Sequence, residues 1–252
     1  MRVSAKSSRI QPVNRLVSPM NILAIDTSTT ACVLGVRTED TEITRFEQID
    51  RSHSLELLPR IVTILADANL DKNDIHLIVF GKGPGSFTGL RIAVGVTQGL
   101  AFGLDIPVVG VSTLACIAQG RFRKSVDGTA THVMVAQTAR QEELFYGAYD
   151  VSGGIAKLVQ PEGVYLANEV PVLPEGPWVG VGSGWSLADK INFSSGAGVS
   201  DISLEAWPEA EDLLVLGNDA FNSGAAVTAA QAIPEYLREQ VATPAKPKTH
   251  KI

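Results

Sequence analysis

Twelve consecutive residues, Phe80-Gly81-Lys82-Gly83-Pro84-Gly85-Ser86-Phe87-Thr88-Gly89-Leu90-Arg91, constrain the fold more than any other part of this chain. They join a short apolar run, residues 77–80, to a long apolar segment that begins at Leu90. Glycines at 81, 83, 85 and 89 permit positive φ and close backbone approach. A strand, a glycine loop and a helix in that order present backbone N–H groups at a helix N-terminus. A phosphate-clamping loop would carry Gly-Lys-Ser/Thr where the helix starts. Here Lys82 comes too early, and Gly89-Leu90-Arg91 enters the helix instead. The loop proposes a nucleotide-related fold and leaves open whether it binds phosphate or serves as packing.

Hydrophobic periodicity extends the pattern along the chain. Residues 21–26, 32–37 and 42–49 read as three strands, and 55–68 as a helix with Leu57, Leu58, Ile61, Leu65 and Ala68 at helical spacing. A buried strand at 75–80, a helix at 89–102, a strand at 108–111 and a helix at 113–119 follow. The charged stretch 121–128 reads as a boundary. Beyond it come strands at 132–136, 143–149 and 155–159, with Ser152-Gly153-Gly154 as a hairpin turn. A strand at 179–181, a short helix near 187–190, a loop at 194–198 and a helix from about 209 to 222 complete the second half. Three strands followed by alternating helix and strand predict a mixed sheet with helices on its faces. The second half reads as an eroded repeat of the first. The expected division is a disordered extension at 1–19, an N-terminal domain at 20–120, a smaller C-terminal domain at 130–241 and a disordered tail at 242–252.

Several segments together carry a resemblance to a known family. They are Met20-Asn21-Ile22-Leu23-Ala24-Ile25-Asp26-Thr27-Ser28-Thr29, His53-Ser54-Leu55-Glu56-Leu57-Leu58-Pro59 and Gly83-Pro84-Gly85-Ser86-Phe87-Thr88-Gly89-Leu90-Arg91. To these add Ile106-Pro107-Val108-Val109-Gly110-Val111-Ser112-Thr113-Leu114 and Pro234-Glu235-Tyr236-Leu237-Arg238. The chain resembles the TsaB (YeaZ-type) family from about residue 20 to about residue 241, densely before Leu114 and patchily after it. The resemblance implies an α/β fold of the actin/sugar-kinase/Hsp70 superfamily, with two related domains on mixed sheets and the second reduced. It also implies a non-catalytic subunit of bacterial threonylcarbamoyladenosine synthesis on tRNA. The partners it implies are a TsaD-like transferase, a TsaE-like ATPase and a second copy of the chain. Its place would be the cytoplasm.

The composition bears on these expectations. With 21 Lys+Arg against 27 Asp+Glu the net charge is −6, which argues against a chain that grips tRNA phosphates by itself. Contact with tRNA is expected through the complex. Cys32 and Cys116 lie in apolar segments and read as small buried hydrophobes. No unbroken apolar run approaches the ~18 residues of a membrane span. Residues 1–19 are basic and lack the apolar core of a secretory signal.

Asp26-Thr27-Ser28-Thr29 closes the first strand. In kinase-like relatives such residues face nucleotide phosphates and a metal, whereas an Asx or Ser/Thr turn explains them without a ligand. Asp26, Thr27, Ser28, Gly83, Gly85 and Ser86 are the nucleotide-binding candidates. No cofactor of the chain's own is expected; ATP or ADP, if held at all, would sit at a subunit interface. Gly180-Val181-Gly182-Ser183-Gly184, where such folds place an adenosine-side loop, reads as a turn. The catalytic relative implied by the resemblance carries a His-x-x-x-His metal pair, whose positions fall here on Thr113 and Ile117. Isoleucine cannot bind metal, and His53, His76, His132 and His250 form no ligand-spaced pair. No catalytic residue and no metal site is therefore expected. Thr138-Ala139-Arg140 stands where the family usually has Asp-Ala-Arg, and Arg140 could meet a partner, a phosphate, or Glu142 and Glu143.

In the helix at 89–102, Leu90, Ile92, Val94, Val96 and Leu100 spread around the circumference. Gly95, Gly99 and Gly103 form one small-residue stripe, and Ala93, Thr97 and Ala101 another. Two such stripes predict an intramolecular helix contact plus a subunit interface. The expected interface residues are Leu57, Ile61, Gly89, Leu90, Ala93, Val94, Thr97 and Ala101. Two competing classes are an enzyme, either a glycoprotease-type peptidase or a kinase-like phosphotransferase, and a nucleotide sensor without turnover.

Overall fold

A computed structural model describes residues 20–48, 53–125, 130–191 and 197–237. The expected extension at 1–19 and tail at 242–252 lie outside the described residues. Strands β1 (Ile22–Asp26), β2 (Ala31–Arg37) and β3 (Glu42–Gln48) form an antiparallel meander; β4 (Leu77–Gly83) and β5 (Val108–Ser112) add in parallel on the other side of β1. The order is β3-β2-β1-β4-β5. Central strand β1, Ile-Leu-Ala-Ile-Asp, is buried at every position, as a strand covered on both faces must be. Its alternation distributes the core. Leu23 and Ile25, with Ile78 and Phe80 of β4, face helices α1 (His53–Asp67) and α2 (Phe87–Leu104). Ile22 and Ala24, with Leu77 and Val79, face α4 (Ala210–Asn222).

The second sheet repeats this topology. Strands β6 (His132–Arg140), β7 (Glu143–Asp150) and β8 (Lys157–Leu166) are antiparallel neighbours; β9 (Gly176–Val181) and β10 (Ala197–Ser203) join β6 in parallel, giving β10-β9-β6-β7-β8. Each strand thus has a counterpart of the same direction in the first sheet. One face packs on α3 (Thr113–Arg123), through Leu114, Ile117 and Ala118 against Val133, Val135 and Tyr149. Short helical turns at Ala167–Glu169 and Ser183–Lys190 replace helices on the other face, with Trp178 and Trp185 filling the core there.

Two expectations are corrected. The segment 194–198 reads as a loop, yet Ala197 and Gly198 begin β10; residues 194–196 lie outside the described residues. The assignment of 130–241 to a C-terminal domain fails after β10, because the chain returns to the first sheet. Helix α4 lies so close to that sheet that a Cβ on Gly217 would come 2.3 Å from a methyl of Val79. Val227 exchanges both backbone hydrogen bonds with Val108, each 2.9 Å, and Glu235 N donates to Lys82 O at 2.7 Å. Leu213, Leu214 and Leu216 bury against the apolar face of β1, β4 and β5, a contact that sequence order does not reveal. Arg123 of α3 ties α4 in place through two 2.9 Å bonds to the carboxylate of Asp212, which is buried.

By length and composition α2 is also apolar enough to cross a membrane, with 18 residues at mean hydropathy 1.2, although no unbroken apolar run of that length exists. Here it packs on β4, with Leu90, Ala93, Val94, Thr97 and Ala101 buried.

Candidate functional site

The glycine loop and the Asp26-Thr27-Ser28 turn are built against each other. The amide of Ser86 donates to the Ser28 carbonyl at 2.6 Å, and the Thr27 hydroxyl to the Gly89 carbonyl at 2.7 Å. A Cβ on Gly89 would lie 1.8 Å from the Thr27 carbonyl oxygen, and one on Gly85 2.2 Å from that of Ser28. These glycines are therefore required by the docked turn itself. Ser86 caps α2, its hydroxyl accepting from Gly89 N at 3.3 Å, and Gly83 lies under the Glu235 carbonyl.

Asp26 sits behind this contact and is fully buried. One carboxylate oxygen accepts from Ser28 N at 2.6 Å; Oδ2 has no hydrogen-bond partner among the described residues and abuts Gly81. Loss of hydration pushes its pKa up to about 6, with the Ser28 hydrogen bonds offsetting part of the rise.

In front of the turn, a cleft of about 920 Å³ separates the two sheets. Ser28, Gly85 and Ser86 line it, whereas Asp26, Thr27 and Gly83 lie beneath its surface. The opposite wall is Gln137, Thr138, Phe145 and Ser183; residues 204–207 and 235–237 close the sides. Ser183 Oγ donates to Gln137 Oε1 at 2.8 Å and accepts from Thr138 N at 3.0 Å. Gly182, at φ +111°, packs on the Ala136 carbonyl, and Trp185 is buried with its indole N–H on the Met134 carbonyl. Arg140 stands exposed at the end of β6, while Glu142 pairs with Lys190. Sequence reasoning missed Phe145, Trp207 and Tyr236 as cleft residues. Tyr236 was visible as part of a motif, but its position beside Phe87, 5.3 Å between ring centres, depends on the returning chain.

Thr113 opens α3 with its hydroxyl donating to Ser28 Oγ at 3.0 Å, and Ile117 is buried among β6, β7 and β9 residues. Of the histidines, His76 accepts from the Asn21 amide through Nδ1 at 3.0 Å, and His132 lies edge-on to Trp178. His53 begins α1, and His250 is outside the described residues. Among the described residues no group of three or more His, Cys, Asp or Glu could hold a metal.

The interface expectation requires correction at the level of single residues. Leu57, Ile61, Gly89, Leu90, Ala93, Val94, Thr97 and Ala101 are all buried within the protein itself. They hold α1 and α2 to the sheet, so a partner cannot reach them. The outward surface of these helices includes instead Leu55, Leu58 and Val62 on α1, and Gly95, Gly99, Phe102 and Gly103 on α2, beside polar residues such as Thr63, Asp67 and Arg91. A helix that is apolar around its whole circumference does not reveal from sequence which stripe its own sheet takes.

Comparison with known proteins agrees with this architecture. Residues 47–246 match the family described as TsaD: tRNA N6-adenosine threonylcarbamoyltransferase, which places the chain among α/β proteins related to that transferase. The TsaB protein of Escherichia coli (strain K12), a tRNA threonylcarbamoyladenosine biosynthesis protein, is 38% identical over 227 residues, covering 88% of this chain and 96% of its own length. The Haemophilus influenzae TsaB is 34% identical over 233 residues, covering 88% and 95%. A crystal structure from Pseudomonas aeruginosa, described as an uncharacterized protein with similarity to peptidase YEAZ, superposes with a TM-score of 0.80 at 38% identity, covering 87% of this chain and 100% of that one. The chain belongs to the TsaB (YeaZ-type) family.

Proposed function

We propose that this chain is a non-catalytic subunit of tRNA threonylcarbamoyladenosine biosynthesis that holds a TsaD-like transferase against the outer face of α1 and α2. The pathway follows from the names of its relatives. The observation that carries the mode of action is the apolar stripe on that face. Leu55, Leu58 and Val62 are 78%, 50% and 68% exposed and recur at helical spacing, and Phe102 is 83% exposed. On α2, a Cβ added to Gly95, Gly99 or Gly103 would meet no atom within 4 Å, so a neighbouring helix can approach the backbone closely. The same face can pair with a second copy, and a TsaE-like ATPase joins the assembly.

The absence of catalysis is supported by α3, where Thr113 and Ile117 occupy the positions of the relative's metal pair, one hydroxyl already bonded to Ser28 and the other side chain in the core. The net charge of −6 favours contact with tRNA through the complex, in the cytoplasm. The matching order and direction of the two sheets supports the actin/sugar-kinase/Hsp70 superfamily as the finer fold assignment.

Co-expression with the TsaD-like protein of the same cell, followed by native mass measurement, tests the reading. A stable complex is expected. Gly95→Glu and Val62→Glu should fold normally by circular dichroism and lose the partner, because both positions face solvent in the free protein. Ala93→Glu should fail to fold, since it buries an unpaired charge at a cost of several kcal/mol. Wild-type assembly by both surface variants would refute the mechanism.

A further inference from the structure

Beyond Leu237 the chain carries a motif that docking on α1 and α2 does not use. Thr243-Pro244-Ala245-Lys246-Pro247-Lys248 is a Pro-x-x-Pro segment with one lysine inside it and another directly after it. Proline fixes φ, so such a segment favours the left-handed polyproline helix, whose three residues per turn set both prolines on one edge. That helix has no internal hydrogen bonds, and its carbonyls take donors from outside. Proteins receive it in grooves walled by aromatic rings, where a segment already extended loses little conformational entropy.

The cleft between the two sheets is a groove of that kind. On one side the Phe87 and Tyr236 rings lie 5.3 Å apart at 36°. Arg91 holds both, its guanidinium 3.8 Å from the Phe87 ring centre and its Nε donating to the Tyr236 hydroxyl at 3.1 Å. Phe145 and Trp207 stand on the other walls, Trp207 braced edge-on by Phe46. Rings held this way are set before any ligand arrives. Phe87 and Thr88 also line the cleft, and their amides, in the first turn of α2, have no partner among the described residues. They are donors for the carbonyls of an extended segment.

Charge and chain path select the occupant. Among the described residues lining the cleft the ionised groups are the carboxylates Glu205 and Glu235, with no Lys, Arg or His. Glu235 is shared with Lys82 at 2.7 Å, whereas Glu205 forms no ion pair among the described residues and can take a lysine. Leu237, from which the chain continues to the motif, is itself part of the cleft wall beside Tyr236. Residues 238–244 span up to about 23–25 Å when extended, enough to turn back across the groove.

We propose that the cleft binds this chain's own residues 244–248, the two prolines against the aromatic walls and a lysine beside Glu205. Any other ligand of the cleft must then displace the segment. The inference is independent of the α1–α2 face, and its test needs no transferase.

A synthetic peptide of residues 240–252 is titrated calorimetrically into the full wild-type chain and into the full-length double variant Pro244→Ala/Pro247→Ala. The variant should bind the peptide saturably. The wild type should bind it at least about tenfold more weakly, because its tethered segment competes at an effective concentration on the order of millimolar. Adding Tyr236→Ala or Trp207→Ala to the variant should weaken the peptide about fivefold or more with unchanged circular dichroism. Adding Glu205→Gln should reduce both the affinity and its salt dependence. Equal binding by wild type and variant, no binding by either at low-millimolar peptide, or unchanged affinity in both aromatic variants would overturn the proposal. So would equal affinity for a peptide whose two prolines are alanine. The wild-type blockade should persist on dilution; its loss would assign the segment to a second copy's cleft and overturn contact within one chain.

Discussion

Replacing Asp26 by Asn should remove a pH dependence of stability worth about 3 kcal/mol. In the unfolded chain this carboxyl ionises near its ordinary value of 3.8, whereas burial holds its proton to about pH 6 in the folded protein. The difference is about two pH units, and each is worth 1.36 kcal/mol. Between the two values the folded state binds more protons than the unfolded state, so stability falls as pH rises through that window. The contribution is fully present below about 3.8 and fully lost above about 6. Asparagine keeps an oxygen that can accept from Ser28 N and carries no charge. Urea unfolding of both proteins from about pH 4 to about pH 8 gives the difference in stability at each pH. Asp212 and Glu162, whose pKa values are also raised by burial, are present in both proteins and cancel to first order. The variant should gain about 3 kcal/mol relative to the parent as pH rises, with the change centred near pH 5. A flat difference would show that Asp26 is hydrated or paired in solution, and the account of a desolvated carboxyl behind the glycine loop would fall.

Two further outcomes follow from single contacts. Tyr146 is buried with no partner for its hydroxyl among the described residues, so Tyr146→Phe should be neutral or stabilising by up to ~1–2 kcal/mol; a loss larger than ~1 kcal/mol in calorimetry would reveal an unseen partner. Gly89→Ala should destabilise by ~1–3 kcal/mol or more because its methyl meets the Thr27 carbonyl at 1.8 Å, while Gly95→Ala, which meets nothing, should gain up to ~1 kcal/mol from helix propensity; equal effects would contradict the packing described for the loop.

Much of the first sheet could be read from local pattern. The run Ile22-Leu23-Ala24-Ile25 has no solvent-compatible face, so it had to be a central strand, and β2, β4 and β5 follow the same logic. The glycine loop was recognisable as a close backbone approach, although what approaches it is the Thr27-Ser28 turn. The β10 strand was not legible, because Gly198 and two serines break the alternation that marks a strand. Neither was the cleft: Phe87, Phe145, Trp207 and Tyr236 are distant in sequence, and each reads separately as an ordinary core or surface aromatic.

By itself the sequence determined the order of strands and helices other than β10, the family, and the absence of imidazoles at positions 113 and 117. These properties depend on residue identity and on contacts within a few residues. Tertiary structure alone decided which stripe of α2 is spent on its own sheet and which faces outward. It also decided that residues 210–237 return to the first sheet, and that Asp26 lies behind the turn while the cleft in front carries rings and carboxylates. Each of these is a competition among distant surfaces for the same apolar partner, and burial settles it for the whole chain at once.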